Sequence, residues 1–241
     1  MAAKEFMARF GGSLRTKHVV PVPARRSAWA RFAWSIARGR VTFVDRRFYP
    51  LPDRSELPAE FIRLDPWEAS YLYAVAAQAR RGIVEIGRLW GGSTFLLACA
   101  NKRVPIWSID IDPRDDRQLE GFFRAHGVGH NVELLAGNSQ LDPFLEIGEL
   151  DFVFVDGAHS HQGCSADLNA FVTRLVPGGH VVLHDCYQGR MVQQAVLDFL
   201  DENDLETVRS PYIPAAHWHT SYGSMAHLRT LGDRAGRAER H

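Results

Sequence analysis

From Asp65 onward the sequence alternates short apolar, β-branched runs with stretches of helical character, and few architectures accept that rhythm. The runs at 82–87, 104–110, 131–136, 150–155 and 179–184 read as strands, and 92–101, 114–126, 140–147 and 162–175 read as the helices between them. Strands that are apolar throughout belong inside a parallel sheet covered by helices on both faces. A helix opening the series is signalled by Asp65 as its cap, Pro66 in its first turn and Glu68 at capping-box spacing. After a further helix at about 190–203, strand-like runs at 205–210 and 223–230 complete a doubly wound α/β domain over 61–230.

A chain of 241 residues, 46% of them hydrophobic, can bury one substantial core of this kind. Residues 1–60 form an N-terminal extension cut up by Gly11, Gly12, Pro21, Pro23, Pro50 and Pro52, and 231–241 form a C-terminal tail. Within the extension, Trp29, Phe32, Ala33 and Ile36 recur at helical spacing between Arg25, Arg26, Arg31 and Arg38, a basic amphipathic helix over 24–38. Its alanines suit packing on the domain or on a second copy of the chain better than burial in a membrane surface. Lys+Arg and Asp+Glu are both 28, so net charge gives no reason to expect a nucleic acid partner. Cys99, Cys164 and Cys186 form no CxxC pair, there is no apolar run of roughly 18 residues, and Met1 is not followed by a basic-then-apolar leader. A soluble, cytoplasmic protein is the expectation.

Ligands of doubly wound sheets gather at the C-terminal strand ends, so function is sought there. The first such end, VEIGRLWGGST over 84–94, runs a strand into Gly87, then Gly91, Gly92, Ser93 and a helix N-terminus. A nicotinamide-binding turn prefers GxGxxG; here the spacing is ExGxxxGG, with Glu85 inside the strand. Pyrophosphate gains nothing from that carboxylate, whereas the sulfonium or amino group of S-adenosylmethionine does. Asp110 ends the neighbouring strand in WSIDIDP, where an acid accepts hydrogen bonds from the ribose hydroxyls of an adenosine-containing cofactor. Asn138, Ser139 and Gln140 follow the third strand with short polar groups suited to an adenine edge or to a helix cap.

The fourth and fifth ends, DFVFVDGAHSH over 151–161 and PGGHVVLHDCY over 177–187, each deliver an acid at the tip of an apolar strand. Asp156 and Asp185 are expected to face one another, with His159, His161 and His184 beside them. Carboxylates with imidazole suit a divalent cation of the Mg, Mn or Fe kind, which lowers the pKa of a bound hydroxyl. Without metal, an acid and a histidine serve as base and orienter.

Taken together, VEIGRLWGGST, SIDID, AGNSQ, DFVFVDGAHSHQGCSADLNAF, LVPGGHVVLHDCY and QQAVLDF resemble class I S-adenosylmethionine-dependent methyltransferases, nearest the macrocin-type sugar O-methyltransferases and their cephalosporin-hydroxylase-like relatives. The resemblance covers roughly residues 65–230 and rests chiefly on the ordered DGAHSH, PGG and HD series. It implies a Rossmann-like seven-stranded sheet with the last strand antiparallel. It implies a cofactor held by Glu85, Gly87, Gly91, Ser93, Asp110, Ser139 and Gln140, and a divalent metal, Mg2+ or Mn2+, at Asp156 and Asp185 with His184 beside them. Catechol-type relatives carry Asp-Asn at the last position; this chain has Asp185-Cys186, and a thiol is a poor ligand for a hard cation.

The expected chemistry is in-line methyl transfer to an oxygen of a small-molecule hydroxyl acceptor, with Asp156, Asp185 and the candidate base His159 as catalytic groups. His217, Trp218, His219 and Tyr222, before the last strand, are expected to wall the acceptor side. Two rivals remain at this point: a hydroxylase-like or NAD-linked oxidoreductase on the same sheet, and a non-catalytic partner subunit that binds cofactor. The ExGxxxGG spacing speaks against the first, and the Asp/His cluster against the second.

Overall fold

The structure is a computed structural model and describes residues 61–64, 66–142, 144, 146–186, 191–203, 205–208 and 225–231. The basic helix expected over 24–38, the cap at Asp65, the acceptor wall at 211–222 and the tail from 232 lie outside the described residues. In chain order the elements are α1 (Pro66–Ala76), β1 (Ile83–Ile86), α2 (Gly92–Ala100), β2 (Ile106–Asp110), α3 (Asp116–Ala125), β3 (Val132–Ala136), β4 (Leu150–Val155), α4 (His161–Val172), β5 (Leu175–Leu183), α5 (Met191–Glu202), β6 (Leu205–Thr207) and β7 (Ala226–Thr230). The strands form one seven-stranded sheet in the order β3-β2-β1-β4-β5-β7-β6. β1 to β5 pair parallel, and β7 runs antiparallel to both β5 and β6, as expected.

Strand periodicity divides the core into two layers. Ile83, Ile106, Phe152, Phe154 and Val182 point to one face and pack under α1, α2 and α3, against Leu72, Phe95, Leu96 and Phe123. The intervening Val84, Ile86, Trp107, Ile109, Val153, Val155, Val181 and Leu183 point to the other face, under α4 and α5, against Leu168, Phe171, Val196 and Phe199. Phe154 is wholly buried, and burial of such a ring stabilises by roughly 1.5–3 kcal/mol. Because β1 is followed outward by β2 and β3, and the chain then crosses back to β4 on the other side of β1, the strand order reverses between β1 and β4. A crevice opens at that point.

Three expectations fail locally. The helix expected over 140–147 is absent: Leu141, Asp142, Phe144, Glu146 and Ile147 are turn or irregular chain, and Phe144 has φ 40°. The Asp142 carboxylate accepts from the Asn138 backbone N–H at 2.6 Å, offering the backbone a local turn in place of a helix. β5 begins at Leu175, earlier than the expected 179, because Pro177 and Gly178 are taken into the strand at a register shift opposite Leu150 and Phe152, with Gly178 at φ 78°. α4 accordingly stops at Val172, short of the expected 175.

Candidate active site

The crevice is a cavity of about 560 Å3 at the C-terminal strand ends. On one side it is lined by Gly87, Ser93, Asp110, Ser139 and Gln140, and on the other by Asp156, His159, His184 and Asp185. The expected cofactor residues and the expected acid/imidazole residues therefore share one chamber, with Glu85 and Gly91 set behind its wall.

Gly87 holds φ 91°, and a Cβ there would lie 2.1 Å from the Asp156 carbonyl oxygen. Any side chain would push β4 away from β1, so this glycine is required by close approach as well as by its dihedral. The turn then passes Leu89, at φ 50°, and Gly91, at φ 80°, to enter α2 with no side-chain cap. The first N–H groups of α2, at the cavity-lining Gly92 and Ser93, are left for solvent or a ligand. Asp110 steadies this turn: its Oδ2 accepts from Leu89 N at 2.7 Å and its Oδ1 from Asp112 N at 2.8 Å, leaving further lone pairs toward the cavity. Ser139 Oγ donates to Asp167 Oδ1 at 2.6 Å, so its own lone pairs remain available to a ligand.

Glu85 sits lower than a strand-tip reading suggests. Strand parity turns it to the α2 side, where it is fully buried beside its register partner Ser108. Its Oε2 accepts from Thr94 Oγ1 and, at 2.6 Å, from Ser108 Oγ, while Oε1 is buried without a hydrogen-bond partner. Burial outweighs the lowering effect of these bonds and raises its pKa. Arg88, which sequence reasoning passed over, is 2% exposed under the same turn. Its guanidinium donates to Asp116 at 2.9 and 3.0 Å and to the Ser108 and Leu135 carbonyls, tying β2, β3 and α3 to the cofactor turn.

The acid/imidazole half is built by parity too. Val155 and Leu183 are paired and face α4 and α5, so the next residues, Asp156 and His184, turn to the opposite face and meet. Asp185 takes φ 53°, a strained conformation for a non-glycine residue, which ends β5 and swings its carboxylate to the same place. His184 Nδ1 lies 3.2 Å from Asp156 Oδ1 and 3.6 Å from Asp185 Oδ2, and His159 Nε2 lies 3.3 Å from Asp185 Oδ2. On its other edge His184 Nε2 is 3.1 Å from Glu68 Oε2, and both side chains are almost wholly buried. Glu68, read from spacing as part of a capping box with Asp65, also carries its carboxylate to the site from α1. His161 does not join the cluster: its Nε2 pairs with Asp198 Oδ2 at 2.7 Å on the surface between α4 and α5.

Electrostatics follow from these neighbours. Burial works to depress the His184 pKa, but Asp156 and Glu68 overcome it and hold it well above 6.5. Burial likewise opposes ionisation of Asp156, yet His184 and His159 bring its carboxyl down to about 2. Asp185 is lowered by His184 against its own burial. His159, at the open mouth, is raised above 6.5, first by its bond to Asp156. Two ionised acids and an imidazole, with Asp156, His184 and Asp185 each offering one atom within 4.8 Å of the others, have the donor chemistry for a divalent cation.

Residues 84–186 match the family model described as a methyltransferase domain. No curated protein matches the sequence. Among solved structures, the O-methyltransferase NovP is 16% identical with TM-score 0.53, covering 70% of this chain and 81% of its own. The S-adenosylhomocysteine-bound methyltransferase PaMTH1 of Podospora anserina is 14% identical with TM-score 0.58, covering 89% and 99%. An rRNA methylase of Streptococcus thermophilus is 11% identical with TM-score 0.50, covering 66% and 94%. Among the described residues no helix is long and apolar enough to cross a membrane. The fold is that of the Rossmann-like methyltransferases, and the methyltransferase-domain match over 84–186 takes in most of the cavity wall.

Proposed function

We propose that this chain transfers the methyl group of S-adenosylmethionine to a hydroxyl oxygen of a small molecule, with a divalent cation at Asp156, His184 and Asp185. The observation that carries this reading is the single chamber in which the glycine turn and Asp110 stand opposite a cluster of two carboxylates and two imidazoles. A sugar hydroxyl fits the macrocin-type resemblance; polyketide or amino-acid-derived natural products and catechol-like rings offer the same nucleophile.

Asp110 would take the ribose hydroxyls, Ser139 and Gln140 the adenine edge, and the α2 N-terminus the carboxylate of the amino acid moiety. When bound, the cofactor supplies an electrophilic methyl group, and the cation, when bound, lowers the pKa of the acceptor hydroxyl. Holding acceptor and methyl donor in line removes much of the entropic barrier. His159 is placed to take the hydroxyl proton: it is half-exposed at the mouth, and Asp156 and Asp185 stabilise the imidazolium that forms. His184, enclosed by carboxylates, cannot exchange its role with His159.

Calorimetry with S-adenosylmethionine, NAD and NADP tests the cofactor, and mass spectrometry of an extract supplied with labelled cofactor and the full chain identifies the acceptor. We expect S-adenosylmethionine alone to bind. Asp156→Ala and Asp185→Ala should each lose most turnover while keeping cofactor affinity within a few-fold. Preference for a nicotinamide cofactor would move the chain to the oxidoreductase reading, and binding without methyl transfer to any acceptor would favour a partner subunit.

A further inference from the structure

The donor set at this site differs from an all-oxygen one through His184, and the residue that orients this imidazole, Glu68, lies outside the strand-end motifs. We propose that Glu68 orients His184 as a nitrogen ligand, so that the cluster prefers a first-row transition dication, with Mn2+ as the probe, over Mg2+. This inference rests on the metal-assisted reading of the same site.

An ionised carboxylate can only accept, so the contact between Glu68 Oε2 and His184 Nε2 at 3.1 Å places a hydrogen on Nε2. The edge carrying Nδ1 is turned to Asp156 Oδ1 and Asp185 Oδ2, at 3.2 and 3.6 Å, where it too carries a hydrogen in the metal-free chain; a cation held between those oxygens would displace that proton and take the Nδ1 lone pair, while Glu68 keeps the hydrogen on Nε2. A carboxylate behind a ligating imidazole fixes the tautomer and ring orientation and raises ligand basicity. Water cannot take over that part, because the Glu68 and His184 side chains are 1% and 2% exposed. Mg2+ prefers oxygen ligands in near-ideal octahedral geometry and dehydrates reluctantly, whereas imidazole suits transition metals and carboxylates suit Mn2+. One imidazole with two carboxylates therefore favours a first-row transition dication over Mg2+, and Mn2+, which also suits carboxylates, reports on that preference. Glu68 is a positioning residue here, since it acts through His184.

The test uses the purified full chain after removal of metal with EDTA. Calorimetry would measure affinity for Mn2+ and for Mg2+, and pulsed electron paramagnetic resonance of the Mn2+-loaded protein would detect a directly bonded 14N. We expect Mn2+ to bind at least ~10-fold more tightly than Mg2+ and the 14N coupling to be present. His184→Asn should abolish that coupling and His159→Asn should retain it, which distinguishes the two imidazoles. His184→Asp, restoring an all-oxygen set, should bring the two affinities within a few-fold. Glu68→Gln, which keeps the volume, should weaken Mn2+ by about 10–100-fold. S-adenosylmethionine affinity within a few-fold of wild type would show that each variant is folded. Mn2+ binding without 14N coupling, Mg2+ binding as tightly as Mn2+, or an unchanged Mn2+ affinity in Glu68→Gln would each overturn the inference. Absence of binding by either ion would overturn it together with the metal part of the proposed function, while intact cofactor binding in the same preparation would leave methyl transfer standing.

Discussion

Two histidines on neighbouring strand segments are held by the same helix and show how little residue type and burial decide by themselves. His184, just past the end of β5, is 3% exposed and touches Glu68; His227, on β7 opposite Val182 of β5, is 4% exposed and touches Tyr71, one turn further along α1. His184 lies among Glu68, Asp156 and Asp185 and is driven well above 6.5. His227 accepts or donates between Tyr71 Oη, 2.5 Å from Nδ1, and His180 Nδ1, 2.9 Å from Nε2, with Arg229 nearby. Burial, aided by His180 and Arg229, takes it down to about 3. One imidazole is a cation among acids, and the other is a neutral relay between a phenol and a second imidazole. Desolvation acts alike on both, and the neighbouring charges set the sign.

The largest expected effect comes from breaking the acidic side of this comparison. Glu68→Ala leaves a buried cationic imidazole short of one carboxylate, and in EDTA it should cost roughly 3 kcal/mol in urea unfolding. A loss below about 1 kcal/mol, the scale of a neutral hydrogen bond, would mean that His184 is not charged in the folded state. Next, Asp110→Ala removes a charged acceptor at the mouth and should weaken S-adenosylmethionine by about 1.5–3 kcal/mol in calorimetry. An unchanged dissociation constant would put the ribose elsewhere.

At His227 the expected losses are smaller and confined to stability. Tyr71→Phe removes the phenol against His227 and should cost about 1 kcal/mol of stability while leaving cofactor affinity unchanged. Weakened cofactor binding in this variant would show that the two histidine sites communicate through α1. The smallest effect is a pH dependence. Because the folded pKa of His227 lies below its unfolded value of about 6.5, its contribution is intact above that value and is lost as pH falls toward about 3. From pH 7 to pH 6 wild type should lose about 0.7 kcal/mol through this group, and His227→Gln should flatten that slope in unfolding curves recorded at each pH.

The same contrast explains what could be read from sequence. The placement of Asp156 and Asp185 was legible because each acid ends an apolar run, and strand ends are local features that period and composition reveal. Glu68 was not, since its partner lies 116 residues away and its local spacing fits a cap equally well. Glu85 was found as a special residue, but its depth depends on strand parity relative to α2, which a single run does not specify. Arg88 carried a weak signal, a charged residue inside a glycine turn, whose meaning needed the β2 and β3 carbonyls beneath it. The apolar content of 140–147 suggested a helix, and Asp142 and the left-handed Phe144 decided otherwise.

The close pass of Gly87 against the Asp156 carbonyl has a consequence for how this site can change. With 2.1 Å between that oxygen and a Cβ at 87, and with Asp156 N donating to Ile86 O at 2.8 Å, the glycine turn proposed to hold the cofactor and the first acid of the cluster are mechanically one part. Moving the tip of β4 to admit a bulkier acceptor would drag the methyl-donor side with it. New acceptors are therefore more easily gained through His159 and the neighbouring loops than through Asp156, which makes the β1/β4 seam the fixed anvil and the rim the adjustable face.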